Sequence, residues 1–232
     1  MKAAEIRVLC VPGITAAMEE LGARFERTTG HKLLTRFELP SQLREPIDSG
    51  AFDVAILFSA TIDNLIKRGK IDAATRVDVA RMGIGVAVRV GAPKPDISSV
   101  DAFKRALLDA KSISYTKESA AGIYLASLME RLGIAEEMKA RTKLLGGGGQ
   151  NPRAVAAGDV EIGLSVISDI LPVRGVELVG PLPPELQHYV VVTAGVGASA
   201  KEPGAAKALI QSLTRVTAVP VLKTKGLEPA IP

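Results

Sequence analysis

Short apolar runs alternate with stretches of helical periodicity from one end of the chain to the other. Ile6-Arg7-Val8-Leu9-Cys10-Val11 reads as a strand. After Pro12-Gly13, apolar residues recur at Ile14, Ala17, Met18, Leu21 and Phe25, the spacing of one face of an amphipathic helix. Gly30 is placed to end that helix as its C′ residue. A strand over residues 33–37 and a short helix over 41–49 follow. Asp53-Val54-Ala55-Ile56-Leu57-Phe58 is the third strand, and its apolar run predicts burial on both faces. A helix over 61–68 stops at Gly69.

Residues 83–90 read as a strand and Gly91-Ala92-Pro93-Lys94-Pro95 as a break. A second series begins beyond it: helix 99–109, strand 112–115, helix 121–132, strand 142–145, helix 152–157 and strand 161–166. Residues 176–179 and 189–193 read as further strands. A helix from 203 to about 215 and a shorter segment to 223 close the chain. Such alternation predicts α/β architecture with largely parallel sheets.

Strand, tight turn and helix meet at Gly13, at Ser59, around Ser119-Ala120-Ala121-Gly122, and over residues 146–151. In open α/β sheets ligands bind outside the carboxyl ends of the strands. Helix N-termini there carry unsatisfied N–H groups and the positive end of the helix dipole, both of which attract anions. Two such units with their junctions facing each other would form a cleft lined by backbone amides, with no catalytic side chain required.

Gly146-Gly147-Gly148-Gly149-Gln150-Asn151-Pro152 is the most informative stretch. Pro152 suits a first helical position and Asn151 an N-cap, so the glycines immediately precede a helix. Glycine lets backbone approach a ligand closely; a plain surface loop accounts for the local sequence equally well. No Lys-Ser or Lys-Thr follows, which excludes a Walker A loop. Gly83-Ile84-Gly85 lacks the third glycine of a dinucleotide fingerprint and precedes no helix.

Composition narrows the function classes. The chain has 232 residues, 47% hydrophobic and 23% charged, with no Trp and only 3% aromatics, so its core is built from Ala, Val, Leu and Ile. The net charge of +4 is mild and its charges are interleaved, as in Glu19-Glu20, Arg24 and Glu26-Arg27. No basic stripe or stacking platform points to nucleic acid. No run of 18 apolar residues points to a membrane span. Cys10 is the single cysteine and sits in an apolar strand, which reads as a buried, inert thiol.

Candidates for chemistry are few. His31 and His188 are far apart and make a poor metal site. Gly163-Leu164-Ser165-Val166-Ile167 lacks the closing glycine of a nucleophile elbow, so Ser165 reads as a sheet residue. Glu19, Glu20, Glu136 and Glu137 fall on solvent faces of helices. No acid–base pair stands out; the expectation is no catalytic residue, no metal and no cofactor.

Three segments carry a family resemblance. Val8-Leu9-Cys10-Val11-Pro12-Gly13-Ile14-Thr15-Ala16-Ala17-Met18 is similar to the opening of the molybdate-type solute-binding proteins of ABC transporters. Residues 37–43, followed by Ile47-Asp48-Ser49-Gly50 and Asp53-Val54, resemble that family's second binding segment. Ala121-Gly122-Ile123-Tyr124 is similar to its Ala-Gly-Ile-Tyr helix start, with no gap from there to Val166. The resemblance spans nearly the whole chain and implies a two-lobed type 2 periplasmic-binding-protein fold, each lobe a mostly parallel sheet flanked by helices. It places lobe one at residues 1–84 plus 194–232 and lobe two at 85–193, with hinge closure around a ligand.

The family's oxyanion donors map imperfectly onto this chain. The first serine falls on Gly13, beside Ile14; the second falls on Pro40, beside Ser41; the donor tyrosine falls on Val166. The backbone-amide contributors fall on Ala121 and Gly148, flanked by Gly122 and Gly149, and Ser59 marks a further junction. Each lost hydroxyl removes about 1 kcal/mol, or about 2 with a charged acceptor, so three losses predict oxyanion binding weaker by roughly 10³-fold. Arg44, Lys117 and Arg153 lie near the junctions, where they suit either a larger carboxylate or phosphate ligand or plain solvated surface.

The resemblance implies a monomeric binding component for a small anionic or polar solute, serving an ABC permease without nucleic acid or membrane insertion. A cytoplasmic small-molecule sensor is the alternative, and an enzyme on the same fold ranks below both. Met1-Lys2-Ala3-Ala4-Glu5 runs straight into a strand with no separate leader, so the periplasm implied by the family and a cytoplasmic setting both stay open.

Overall fold

The computed structural model describes residues 3–39, 41–147 and 149–230. Pro40 and Gly148, two of the expected site residues, lie outside them.

The first series comprises β1 (Glu5–Cys10), α1 (Thr15–Thr29), β2 (Lys32–Phe37), α2 (Arg44–Ser49), β3 (Val54–Phe58) and α3 (Ser59–Lys67). The long β4 (Val77–Arg89) leads to α4 (Val100–Asp109), β5 (Ile113–Thr116), α5 (Ala120–Arg131) and α6 (Ala135–Lys139). Next come β6 (Thr142–Leu145), α7 (Gln150–Ala157), β7 (Ile162–Val166), α8 (Ile167–Ile170) and β8 (Val176–Pro181). The chain ends with β9 (Tyr189–Val196), α9 (Pro203–Leu213), α10 (Val219–Thr224) and β10 (Glu228–Pro229). Two compact units result: Met1–Arg81 with Val191–Pro232, and Met82–Val190. The chain passes from one to the other within β4 and returns within β9.

In the first unit β1 pairs in parallel with β2 (Val8↔Thr35) and with β3 (Val8↔Val54), and β9 is antiparallel to β3. The order is β2-β1-β3-β9-β4, with β10 antiparallel to β4. The run read as a doubly buried strand is one: Val54, Ala55, Ile56 and Leu57 are fully buried. Helix α1 buries Ala17, Met18, Leu21 and Phe25, the face its periodicity predicted, and Gly30 ends it at φ 75°. Burying each large aliphatic side chain contributes about 1.5–3 kcal/mol, so this stripe fixes the helix on the sheet.

In the second unit β5 is parallel to β6 and to β7. The later half of β4 is antiparallel to β7 and β8, giving the order β8-β4-β7-β5-β6.

Four differences from the sequence reading have physical causes. Strand β4 begins at Val77 instead of residue 83, because its interrupting charges find partners. Asp78 accepts from Thr193 Oγ1 at 2.6 Å and from Arg76 at 3.1 Å, and Arg81 pairs with Glu228 at 2.9 Å. Helix α7 begins at Gln150, two residues before Pro152. Helices α6 and α8, of five and four residues, are too short to show a period. Strand β10 has only two residues and carries no pattern of its own.

Candidate functional site

Parallel neighbours end at the same sheet edge, so β1, β2 and β3 deliver their following loops to one rim of the first unit. Gly13 and Ile14 form a 3-10 turn with Pro12, with Ile14 buried and Thr15 Oγ1 donating to the Pro12 carbonyl at 2.7 Å. Ser41 is exposed in the loop after β2. Ser59 opens α3, whose N-cap residue, Phe58, supplies no side-chain acceptor to the first amides. An uncapped helix start leaves donors for another acceptor.

The second unit has a matching rim where β5, β6 and β7 end. At the start of α5, Ser119 Oγ accepts from the Gly122 N–H at 2.9 Å and donates to the Thr116 carbonyl at 3.0 Å. The Gly122 amide, expected at the ligand, is thus taken by the cap. A Cβ on Gly122 would lie 1.8 Å from the Thr116 carbonyl oxygen, so glycine is required there for packing. Ala121 is buried one residue earlier.

Helix α7 is built differently from the expectation. Gly149, at φ 73°, is its N-cap and offers no side-chain acceptor. Asn151, expected as the cap, lies inside the first turn and is 1% exposed. It accepts from the buried Ser114 hydroxyl of β5 and donates to the Leu164 carbonyl of β7 at 2.6 Å. The carboxamide therefore fixes the start of α7 against two strands and leaves the first-turn amides without a side-chain cap. The Arg153 guanidinium lies over Gly149, its Cζ 3.8 Å from where a Cβ would stand. Lys117 is exposed at the end of β5, its N–H donating to the Leu145 carbonyl at 3.2 Å.

Val166 ends β7, buried, with no hydroxyl to offer, and caps α8. The next residues carry polar groups that the sequence reading passed over. Ser168 is 5% exposed and its hydroxyl has no partner among the described residues. Asp169 is half-buried; desolvation pushes its carboxyl up to about 6, against a smaller opposing pull from Arg153. No hydrogen bond or ion pair of that carboxyl occurs among the described residues. The missed signal was position: an Asp three residues past the end of an apolar strand, at the junction type already singled out.

The histidines stand elsewhere. His31 is buried, accepting from the Ala4 N–H at 3.1 Å and stacking on Phe25. His188 stacks on Tyr124 at 4.4 Å, and burial and then Arg131 lower its pKa. Ser165 lies buried in β7. Among the described residues no group of three or more His, Cys, Asp or Glu is placed to hold a metal ion, and no helix is long and apolar enough to cross a membrane.

Two α/β units linked through two shared strands, with helix starts at the carboxyl rim of each sheet, define the type 2 periplasmic-binding-protein fold. In line with this, the periplasmic molybdate-binding protein of Azotobacter vinelandii superposes with a TM-score of 0.80 at 18% identity, over 96% of this chain and 98% of that one. The chain belongs to the bacterial extracellular solute-binding protein family, whose sequence model matches residues 6–228. Among its relatives, an aconitate isomerase of a Pseudomonas species is 30% identical over 97% of this chain and 87% of its own length. The molybdate-binding protein ModA of Azotobacter vinelandii is 28% identical over 97% and 90%. The family's character is binding, and a relative named for an isomerase stands beside one named for molybdate.

Proposed function

We propose that this chain binds a small, multiply charged carboxylate as the solute-binding component of an ABC uptake system. The observation that carries this is the pairing of family membership over residues 6–228 with the uncapped start of α7 on the carboxyl rim of the second unit's parallel strands. Backbone amides, the helix dipole and the cations Lys117 and Arg153 suit a carboxylate. Gly13 and Val166 offer no hydroxyl at positions where the family resemblance puts oxyanion donors, which disfavours molybdate. A second reading, an isomerase of an unsaturated tricarboxylate, is supported by the 30% identical aconitate isomerase and by the half-buried Asp169 carboxyl, which desolvation pushes up to about 6.

Calorimetry on purified, ligand-stripped protein tests the carboxylate preference, using tricarballylate, trans-aconitate, molybdate and sulfate. The expected outcome is tight binding of at least one tricarboxylate and weak or absent binding of molybdate. A molybdate dissociation constant below about 1 μM, roughly −8 kcal/mol, would overturn the preference.

A further inference from the structure

An aspartate kept half-buried, with no hydrogen-bond donor among the described residues, is an expensive way to build a helix start. Fully buried structural carboxylates are paired or accept backbone N–H groups, as Asp53 does from Arg7 and Lys201. Among the described residues Asp169 has no hydrogen bond, only the electrostatic pull of Arg153, and the hydroxyl of its neighbour Ser168 is buried without a partner. A buried hydroxyl without a partner, beside a half-buried carboxyl, marks a place where a protein can meet something other than itself. They lie at the carboxyl end of β7, on the rim that also carries the uncapped start of α7, Arg153 and Lys117. Glu118, the acid next to Lys117 in the sequence, is exposed.

We propose that Asp169 is the acid–base group of an allylic proton shift in a bound unsaturated tricarboxylate, with Arg153 and Lys117 holding the flanking carboxylates; this rests on the carboxylate reading above. The Asp169 carboxylate takes a proton from the methylene carbon between a carboxylate and the double bond. The electron pair of that C–H bond becomes the new double bond to the central carbon. The former double-bond pair moves to the far carbon, which takes the proton back from Asp169. No atom is gained or lost and no oxidant or reductant is needed. The double bond changes place, and its geometry is set by how the substrate is held. Burial supports this role, since a carboxyl titrating near 6 is a better match to proton transfer at neutral pH than one titrating near 4.

The test uses the full-length protein in D2O with trans-aconitate, followed by proton NMR, alongside calorimetry with the saturated and unreactive tricarballylate. Wild type is expected to interconvert the two aconitate isomers and to wash deuterium into the methylene group. D169N should lose that exchange by at least about 100-fold. Its tricarballylate affinity should stay within about threefold, and D169E should recover part of the rate. Exchange that survives in D169N overturns the assignment, as does a wild type that binds tricarballylate but incorporates no deuterium. A wild type that binds no tricarballylate overturns the carboxylate reading itself, and the proposal falls with it.

Discussion

Asn151→Ala should be the most informative single change in the second unit. The wild-type carboxamide takes the Ser114 hydroxyl and gives to the Leu164 carbonyl, all within a region closed to water. Truncation removes two hydrogen bonds worth about 1 kcal/mol each. It also strands the Ser114 hydroxyl, fully buried, at a further penalty of about 1 kcal/mol or more. The sum, about 3 kcal/mol, lowers the urea midpoint by roughly 1–2 M for an m-value near 2 kcal/mol/M. Ser114→Ala alone should cost about 1 kcal/mol, and the double variant should cost less than the two singles added, because each removes the same bond. Equilibrium urea unfolding of the four proteins measures the cycle. A loss below about 1 kcal/mol in Asn151→Ala, or strict additivity, would refute the view that this carboxamide ties α7 to the sheet.

Arg7→Ala should destabilise by about 3–5 kcal/mol, since Asp53 is fully buried and would lose two of its donors; thermal unfolding reads it. Burial pushes the Asp53 carboxyl up, but hydrogen bonds from Arg7 and Lys201 outweigh it and hold the group below its ordinary value. That pairing therefore stabilises the fold at neutral pH and is lost on acidification below the ordinary carboxylate range, where wild type should show the steeper acid limb. Cys10 is fully buried and burial raises its thiol pKa, so a thiol reagent should label it only as fast as the first unit opens. For Asp169 the sign is opposite to that for Asp53. A carboxyl at about 6 instead of 3.8 disfavours the charged fold by at most about 3 kcal/mol, and the stability it removes grows as pH rises from about 4 to 6. Asp169→Asn should raise the melting temperature at pH 7.5 and leave it nearly unchanged at pH 4.

The parts of this fold legible in the sequence are those that a single period specifies. The face of α1 and the doubly buried β3 follow from apolar spacing alone. The first half of β4 was hidden because Asp78 and Arg81 break the apolar run, and their partners, Thr193 and Glu228, lie 115 and 147 residues away. Asn151 read as an N-cap because Asn before Pro is the local signature of one; tertiary contacts to β5 and β7 outbid that signature. Gly122 was read for its amide, whereas the 1.8 Å approach to Thr116 makes it a packing requirement visible only in three dimensions. At the site, junction type was legible and side-chain chemistry was not. The family pattern directed attention to lost hydroxyls, and a carboxyl in a four-residue helix has no pattern to announce it.

Binding and catalysis stand close together on a rim of this kind. Uncapped helix starts and cations hold a carboxylate by charge without reacting with it, since amides and guanidinium groups do not exchange protons with carbon acids near neutral pH. What turns such a site toward chemistry is one group able to accept and return a proton at working pH. Partial burial supplies that at Asp169 by desolvating the carboxyl, and the same desolvation makes the group a liability for the fold. A residue kept only for stability would be expected to follow Asp53, with a donor for each oxygen. Stability and turnover therefore pull Asp169 in opposite directions, and Asp169→Asn separates them. A more stable protein that still binds tricarballylate but no longer moves deuterium would mark the carboxyl as retained for chemistry, at a measurable cost to the fold.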